Sequence, residues 1–273
     1  MSTLSERWRA QLEGWAIPQE LLDAVADSPY EWPAELWKRR TAALAAGPEP
    51  RTTEILRHQL PPGGTLLDVG AGTGRASLRL AAEGHWLTAV ERNPGMAAAL
   101  REEADRVGVD AVVIEGSWPD VVAEAGRHDV AMCAHVVYDV QDIGPFVRSL
   151  HAAARRAVVI ELTPEHPWHG LAPYYQALHD LDRPPGPTAL DLAAVVTEVL
   201  SIEPTLETWT RPGGMRFASI DELVEFQRRR LVLPVARQAE LEGLLLPDIV
   251  EDGEWFLLGP TERSLVTMWW DAS

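Results

Sequence analysis

The sequence predicts an α/β fold: a doubly wound, seven-stranded, mostly parallel sheet, with a helical N-terminal segment and a cap or lid inserted after the fifth strand. Three observations predict it. Short apolar runs alternate with helical patterns from residue 65 to 162, the pitch of repeated strand–helix–strand units with right-handed crossovers. The first apolar run, 66–69, ends in glycines at alternate positions, Gly70, Gly72 and Gly74, just before a helical pattern. After residue 162 the alternation breaks into a stretch rich in Pro, His, Trp and Tyr.

The elements follow in order. Residues 5–60 read as helical: Trp8, Leu12 and Trp15 fall at a 3.6-residue period, with Leu36, Trp37 and Leu44 later. Pro18, Pro29, Pro33, Pro48 and Pro50 cut this region into short pieces. Pro61-Pro62-Gly63-Gly64 marks the entrance to the sheet. Strands are predicted at 65–69, 86–90, 111–114, 128–134 and 157–162, with helices at 74–83, 94–107 and around 142–154 between them. A helix at 188–200, a strand at 202–210, a helix at 220–232, a mixed region at 234–262 and a last strand at 264–270 complete the chain. The domain reading is a helical cap at 1–60, a core at 61–163 and 188–273, and a lid or substrate segment at 164–187.

Composition narrows the function. At 273 residues and 46% hydrophobic, the chain suits one large domain, with or without a cap. A formal net charge of −17 argues against a nucleic-acid partner, and Arg228-Arg229-Arg230 is too short a basic cluster to offset it. No apolar run approaches the roughly 18–20 residues of a membrane span, so no membrane partner is expected. The N-terminus lacks a basic-then-apolar leader and Cys133 is the one cysteine, which together suggest a reducing cytoplasm.

The run Asp68-Val-Gly70-Ala71-Gly72-Thr-Gly74 resembles the first motif of class I S-adenosylmethionine-dependent methyltransferases, [D/E]-x-G-x-G-x-G; the dinucleotide fingerprint G-x-G-x-x-G is spaced differently. Glu91 at the end of the second strand, followed by Arg92-Asn-Pro-Gly-Met96, matches the family's next motif. The resemblance implies a Rossmann-like methyltransferase whose last strand runs antiparallel between strands five and six. S-adenosyl-L-methionine is then the cofactor. Gly70, Ala71, Gly72 and Gly74 would line its methionine and sugar through the backbone, Asp68 would order the loop or the amino group, and Glu91, beside Arg92, would hold the ribose hydroxyls. The family's adenine contact falls at Glu115-Gly116-Ser117-Trp118, where Ser117 replaces the usual Asp; Trp118 is either a stacking surface or a half-buried indole.

The segment after strand four holds His135 and Tyr138, and the one after strand five holds His166, Trp168, His169, Tyr174 and Tyr175. His135, His166 and His169 are the candidate bases, in that order, because imidazole titrates near neutrality. A contact to the cofactor and a structural role bonded to backbone are the other readings of His135. Tyr138, Trp168, Tyr174 and Tyr175 are candidate substrate contacts, and Tyr30, Trp37 and Arg51 are candidates for covering the cofactor. Cys133 reads as a buried thiol. Pro167 and the lack of a companion cluster argue against metal ligation by His166 and His169. The expected reaction is in-line methyl transfer to an O or N nucleophile on a small-molecule substrate. A protein or peptide carboxyl methyltransferase and a non-catalytic S-adenosylmethionine-binding regulatory module are the alternatives, and the oligomeric state is left open.

Overall fold

The computed structural model describes residues 3–30, Leu36, Arg39, 47–213 and 215–273. The N-terminal region starts with α1 (Leu4–Glu13), whose first turn is closed by a capping box: Glu6 N donates to Thr3 Oγ1 at 3.1 Å and Thr3 N to the Glu6 carboxylate at 2.7 Å. Short α2 (Gln19–Asp23) and α3 (Arg51–Gln59) follow. The sheet then begins with β1 (Thr65–Val69), α4 (Leu78–Ala82), β2 (Trp86–Glu91), α5 (Pro94–Val107), β3 (Ala111–Glu115), α6 (Val122–Ala125), β4 (His128–Ala134), α7 (Ile143–Ala153) and β5 (Ala154–Leu162). Helix α5 shows why its ends were legible: Asn93 caps Met96 N, Pro94 takes the first turn, and Gly108 closes the other end in the left-handed conformation at φ +71°. The expected helix at 74–83 begins only at Leu78, because Gly74 sits at φ +78° and the glycine turn extends past it.

The second half continues with α8 (Ala172–His179), α9 (Ala189–Leu200), β6 (Thr205–Pro212), α10 (Ile220–Arg230), α11 (Gln238–Leu245), the hairpin β7 (Ile249–Asp252) and β8 (Trp255–Leu258), and β9 (Glu262–Asp271). The seven-stranded sheet has the order β3-β2-β1-β4-β5-β9-β6. Strands β1 to β5 pair in parallel, while β9 is antiparallel to both β5 and β6, as the resemblance implied.

One face of the sheet buries Leu67, Val69, Ala131, Val158 and Ile160 against Trp8 of α1, Phe146 and Leu150 of α7, and Leu192 and Val196 of α9. The opposite face buries Leu66, Ala89, Val130, Met132 and Val159 against Ile55 and Leu56 of α3, Leu80 of α4 and Leu100 of α5. Neighbouring residues of one strand therefore serve different layers, which explains the near-continuous apolar strands.

A third apolar cluster stands apart. Tyr174, Tyr175 and Leu178 of α8 pack with Phe217, Leu223, Leu241 and Leu245. Residues of the expected lid segment, 164–187, thus share an apolar cluster with residues of 215–258, which the sequence assigns to the core. No helix among the described residues is long and apolar enough to cross a membrane.

Candidate active site

At the end of β1 the chain turns through Gly70, Gly72 and Gly74, at φ +69°, +57° and +78°. That left-handed region favours glycine, yet the three are not equivalent. A Cβ on Gly70 would lie 2.4 Å from Val136 Cγ2, and one on Gly74 would lie 2.8 Å from Leu78. Those two are fixed by packing within the protein. Around Gly72 nothing lies within 4 Å, so its face of the turn is open to a ligand.

The turn is fastened to β2. Gly70 N and Ala71 N donate to Val90 O at 2.8 and 3.1 Å, and Gly72 N donates to Glu91 Oε2 at 2.8 Å. The other Glu91 oxygen accepts from Asn93 N at 2.8 Å. A carboxylate offers about four acceptor positions, so two remain for ligand hydroxyls. Beneath the turn Asp68 is fully buried, and its Oδ2 has no hydrogen-bond partner. Burial pushes its carboxyl up to about 6, against the opposing pull of Ser77 and Arg75. An open glycine turn beside two buried carboxylates suits a ligand that brings hydroxyls, N–H donors and positive charge. S-adenosylmethionine carries all three, so these residues fit it.

The carboxyl end of β4 and β5 builds the other half. His135 sits at φ +60°, with its N–H donated to Glu161 O at 2.9 Å. Its Nε2 is 3.1 Å from Glu161 Oε1, a charge contact without hydrogen-bond geometry, and both ring nitrogens are enclosed. Burial lowers the basicity of His135, against the attraction of Glu161. For Glu161 burial acts upward, but His135, Thr52 and Arg75 outweigh it and hold the carboxyl at about 2. Glu161 is therefore the ionised partner. Next to it Tyr138 bonds Thr163 through its hydroxyl, and burial raises the phenol to about 12.

His166 stacks on Trp15, with ring centroids 4.2 Å apart, and its Nδ1 accepts from Trp168 N at 3.2 Å. Burial first, then the charges of His169 and Arg183, pull its pKa down to about 4. It is an aromatic wall, edge-on to Tyr138 and to Trp168. The Trp168 ring also faces Tyr30, which places Tyr30 against the lid. His169 is 41% exposed beside Glu165, outside this group.

One expectation is corrected. Tyr174 and Tyr175 lie inside the cap, where their hydroxyls donate to Asp248 Oδ2 at 2.5 Å and Arg230 O at 2.6 Å, so both rings are core. Arg92 points to solvent and pairs with exposed Asp139 at 3.2 Å. Arg51 is held by Glu54 and Glu207 at the surface. Ser117 is exposed. Trp118 is half-buried with its Nε1 enclosed and unpaired, and Trp37 lies outside the described residues. Cys133 is buried and its thiol is pushed up by burial, as expected of an inert cysteine. Among the described residues no group of three or more His, Cys, Asp or Glu is placed to hold a metal ion.

Sequence reasoning missed Glu161, Arg75 and Thr163 as site residues. The available signal was a single charge, Glu161, closing the apolar run 157–162 at the sheet edge where ligands bind.

A family model described as "Methyltransferase domain" matches residues 66–157. The chain is 31% identical over 109 residues to the "Probable cobalt-precorrin-6B C(15)-methyltransferase (decarboxylating)" of Pyrobaculum calidifontis, a match covering 37% of this chain and 56% of that protein. It is 33% identical over 83 residues to the "Ubiquinone biosynthesis O-methyltransferase" of Azorhizobium caulinodans, covering 30% of this chain and 33% of that protein. The match thus spans about half of one curated relative and a third of the other. Two solved structures share the fold: one concerned with conversion of a disulfide bond into a thioacetal group during echinomycin biosynthesis (TM-score 0.51, 18% identity, 93% of this chain and 92% of that one), and one from Bacillus halodurans C-125 (TM-score 0.53, 12% identity, 81% and 98%).

Proposed function

The chain carries a methyltransferase domain of the class I S-adenosylmethionine-dependent family at residues 66–157, and on that premise we propose that the whole molecule methylates an O or N nucleophile on a small molecule. The observation that carries this reading is the open face of Gly72 with the Glu91 carboxylate bonded to its N–H at 2.8 Å. S-adenosylmethionine supplies, when bound, an electrophilic sulfonium methyl group.

The protein's own part divides along the sheet edge. The backbone at Gly70–Gly74 admits the methionine and sugar, Glu91 accepts the ribose hydroxyls, and buried Asp68 offsets positive charge. Trp118 borders the same edge after β3. Across the edge, His135 takes the proton from the acceptor, and Glu161, 3.1 Å from its Nε2, stabilises the imidazolium that forms. The wall of Tyr138, His166 and Trp168 excludes water and gives a flat acceptor a surface to lie on. The aromatic wall and the acidic chain support a small acceptor over a macromolecule.

Calorimetric titration with S-adenosylmethionine, S-adenosylhomocysteine and NAD tests the reading. Micromolar binding of both sulfur compounds without NAD is expected, and failure of both to bind overturns it.

A further inference from the structure

Three arginines gather at the edge of β5, β9 and β6, and one carboxylate answers them. Arg211 near the end of β6 and Arg263 near the start of β9 are direct cross-strand partners, so their side chains leave the same face of the sheet. Arg75, just past the glycine turn, reaches Glu161 at 3.9 Å. Arg211 is 7% exposed, its Nε is enclosed without a partner, and its guanidinium lies over the Trp209 ring at 6.0 Å. Among the described residues no carboxylate lies within ion-pair distance of Arg211 or Arg263.

Such an arrangement is unfavourable without a counter-charge. Burial pulls Arg211 down to about 10, with Glu161 opposing and the charges of Arg75 and Arg263 adding. Burial also lowers Arg263, whose field reaches Tyr138 and Glu161. A chain of net charge −17 has carboxylates in surplus, yet among the described residues none is paired with Arg211 or Arg263.

We propose that Arg211 and Arg263 form an anion subsite of the acceptor pocket, taking a small organic acid (carboxylate or phosphate monoester) whose flat apolar body lies along Tyr138 and its aromatic neighbours. The planar guanidinium forks match the two-oxygen geometry of either anion. Assignment to the acceptor rests on the methyltransferase reading and on position. In the order β1-β4-β5-β9-β6, strands β9 and β6 stand three and four places from the glycine turn, roughly 14 and 19 Å at the usual strand spacing. The cofactor's own carboxylate therefore belongs nearer Arg75.

The test is calorimetry of benzoate, phenyl phosphate and neutral benzamide on S-adenosylhomocysteine-saturated and unloaded protein, for the wild type, Arg211→Gln and Arg263→Gln. At least one anion is expected to bind the wild type roughly tenfold or more tightly than benzamide, and each variant is expected to lose roughly tenfold for that anion. S-adenosylhomocysteine affinity should stay within about twofold throughout. Whichever anion binds identifies the source chemistry. Anions no better than benzamide overturn the subsite, a result the wild type alone can give if a variant fails to fold. Equal losses of anion and S-adenosylhomocysteine reassign the arginines to the cofactor and also overturn it. Failure of S-adenosylhomocysteine to bind the wild type strikes the methyltransferase reading instead, while the anion comparison on unloaded protein still decides the subsite.

Discussion

The two halves of the sheet edge solve the same problem with different materials. On the β1–β2 side the site is made of backbone: three left-handed glycines, amide N–H groups and one carboxylate that the turn itself holds. On the β4–β5–β9–β6 side it is made of side chains: His135 against Glu161, Tyr138 against Thr163, and Arg211 opposite Arg263. A backbone site recognises features common to every copy of a cofactor and tolerates little change. A side-chain site can be rewritten residue by residue to suit an acceptor. The contrast also sorts the charges, since the first half holds buried Asp68 and Glu91 and the second a surplus of arginine.

Gly72→Arg should break the first half most completely. The new side chain fills the open face at a φ of +57°, and calorimetry should find no S-adenosylhomocysteine binding. His135→Gln should break the second half selectively, lowering kcat roughly 10²-fold or more for a hydroxyl acceptor while cofactor affinity holds within about threefold. In the wild type the acid limb of kcat should fall below pH 6.5, because burial lowers His135 and keeps its base form at neutral pH. A limb above pH 7 would exclude it as the base. Glu91→Ala should weaken cofactor binding by about tenfold or more through lost ribose hydrogen bonds and a loosened Gly72.

Asp68→Asn should separate stability from binding. Its carboxyl is raised from 3.8 to about 6, so its favourable contribution is complete below pH 3.8 and lost as pH rises through about 6. Above that the ionised group costs about 3 kcal/mol, from roughly two pH units. The variant should show a higher denaturation midpoint at pH 8, no gain at pH 3.5, and weaker cofactor binding. The smallest effect should come from Arg92→Ala, whose partner and side chain are both exposed: cofactor affinity should change less than about threefold.

The alternation of strands and helices, the glycine turn, Asp68, Glu91 and the caps of α5 and α9 were all determined by the sequence itself, because each depends on residues within a few positions of one another. Local physics decides them: a left-handed φ requires glycine, a helix end requires a cap, and a buried strand requires an apolar run. Tertiary structure alone decided the rest. It split the histidines, giving His135 a carboxylate, burying His166 on Trp15 and leaving His169 at the surface. It moved Tyr174 and Tyr175 from an expected pocket wall into a cap core shared with residues 215–258. It set Arg211 opposite Arg263, because β9 returns between β5 and β6 and brings together residues some fifty positions apart. A side chain's role depends on what surrounds it, and those surroundings come from distant segments that no local pattern specifies.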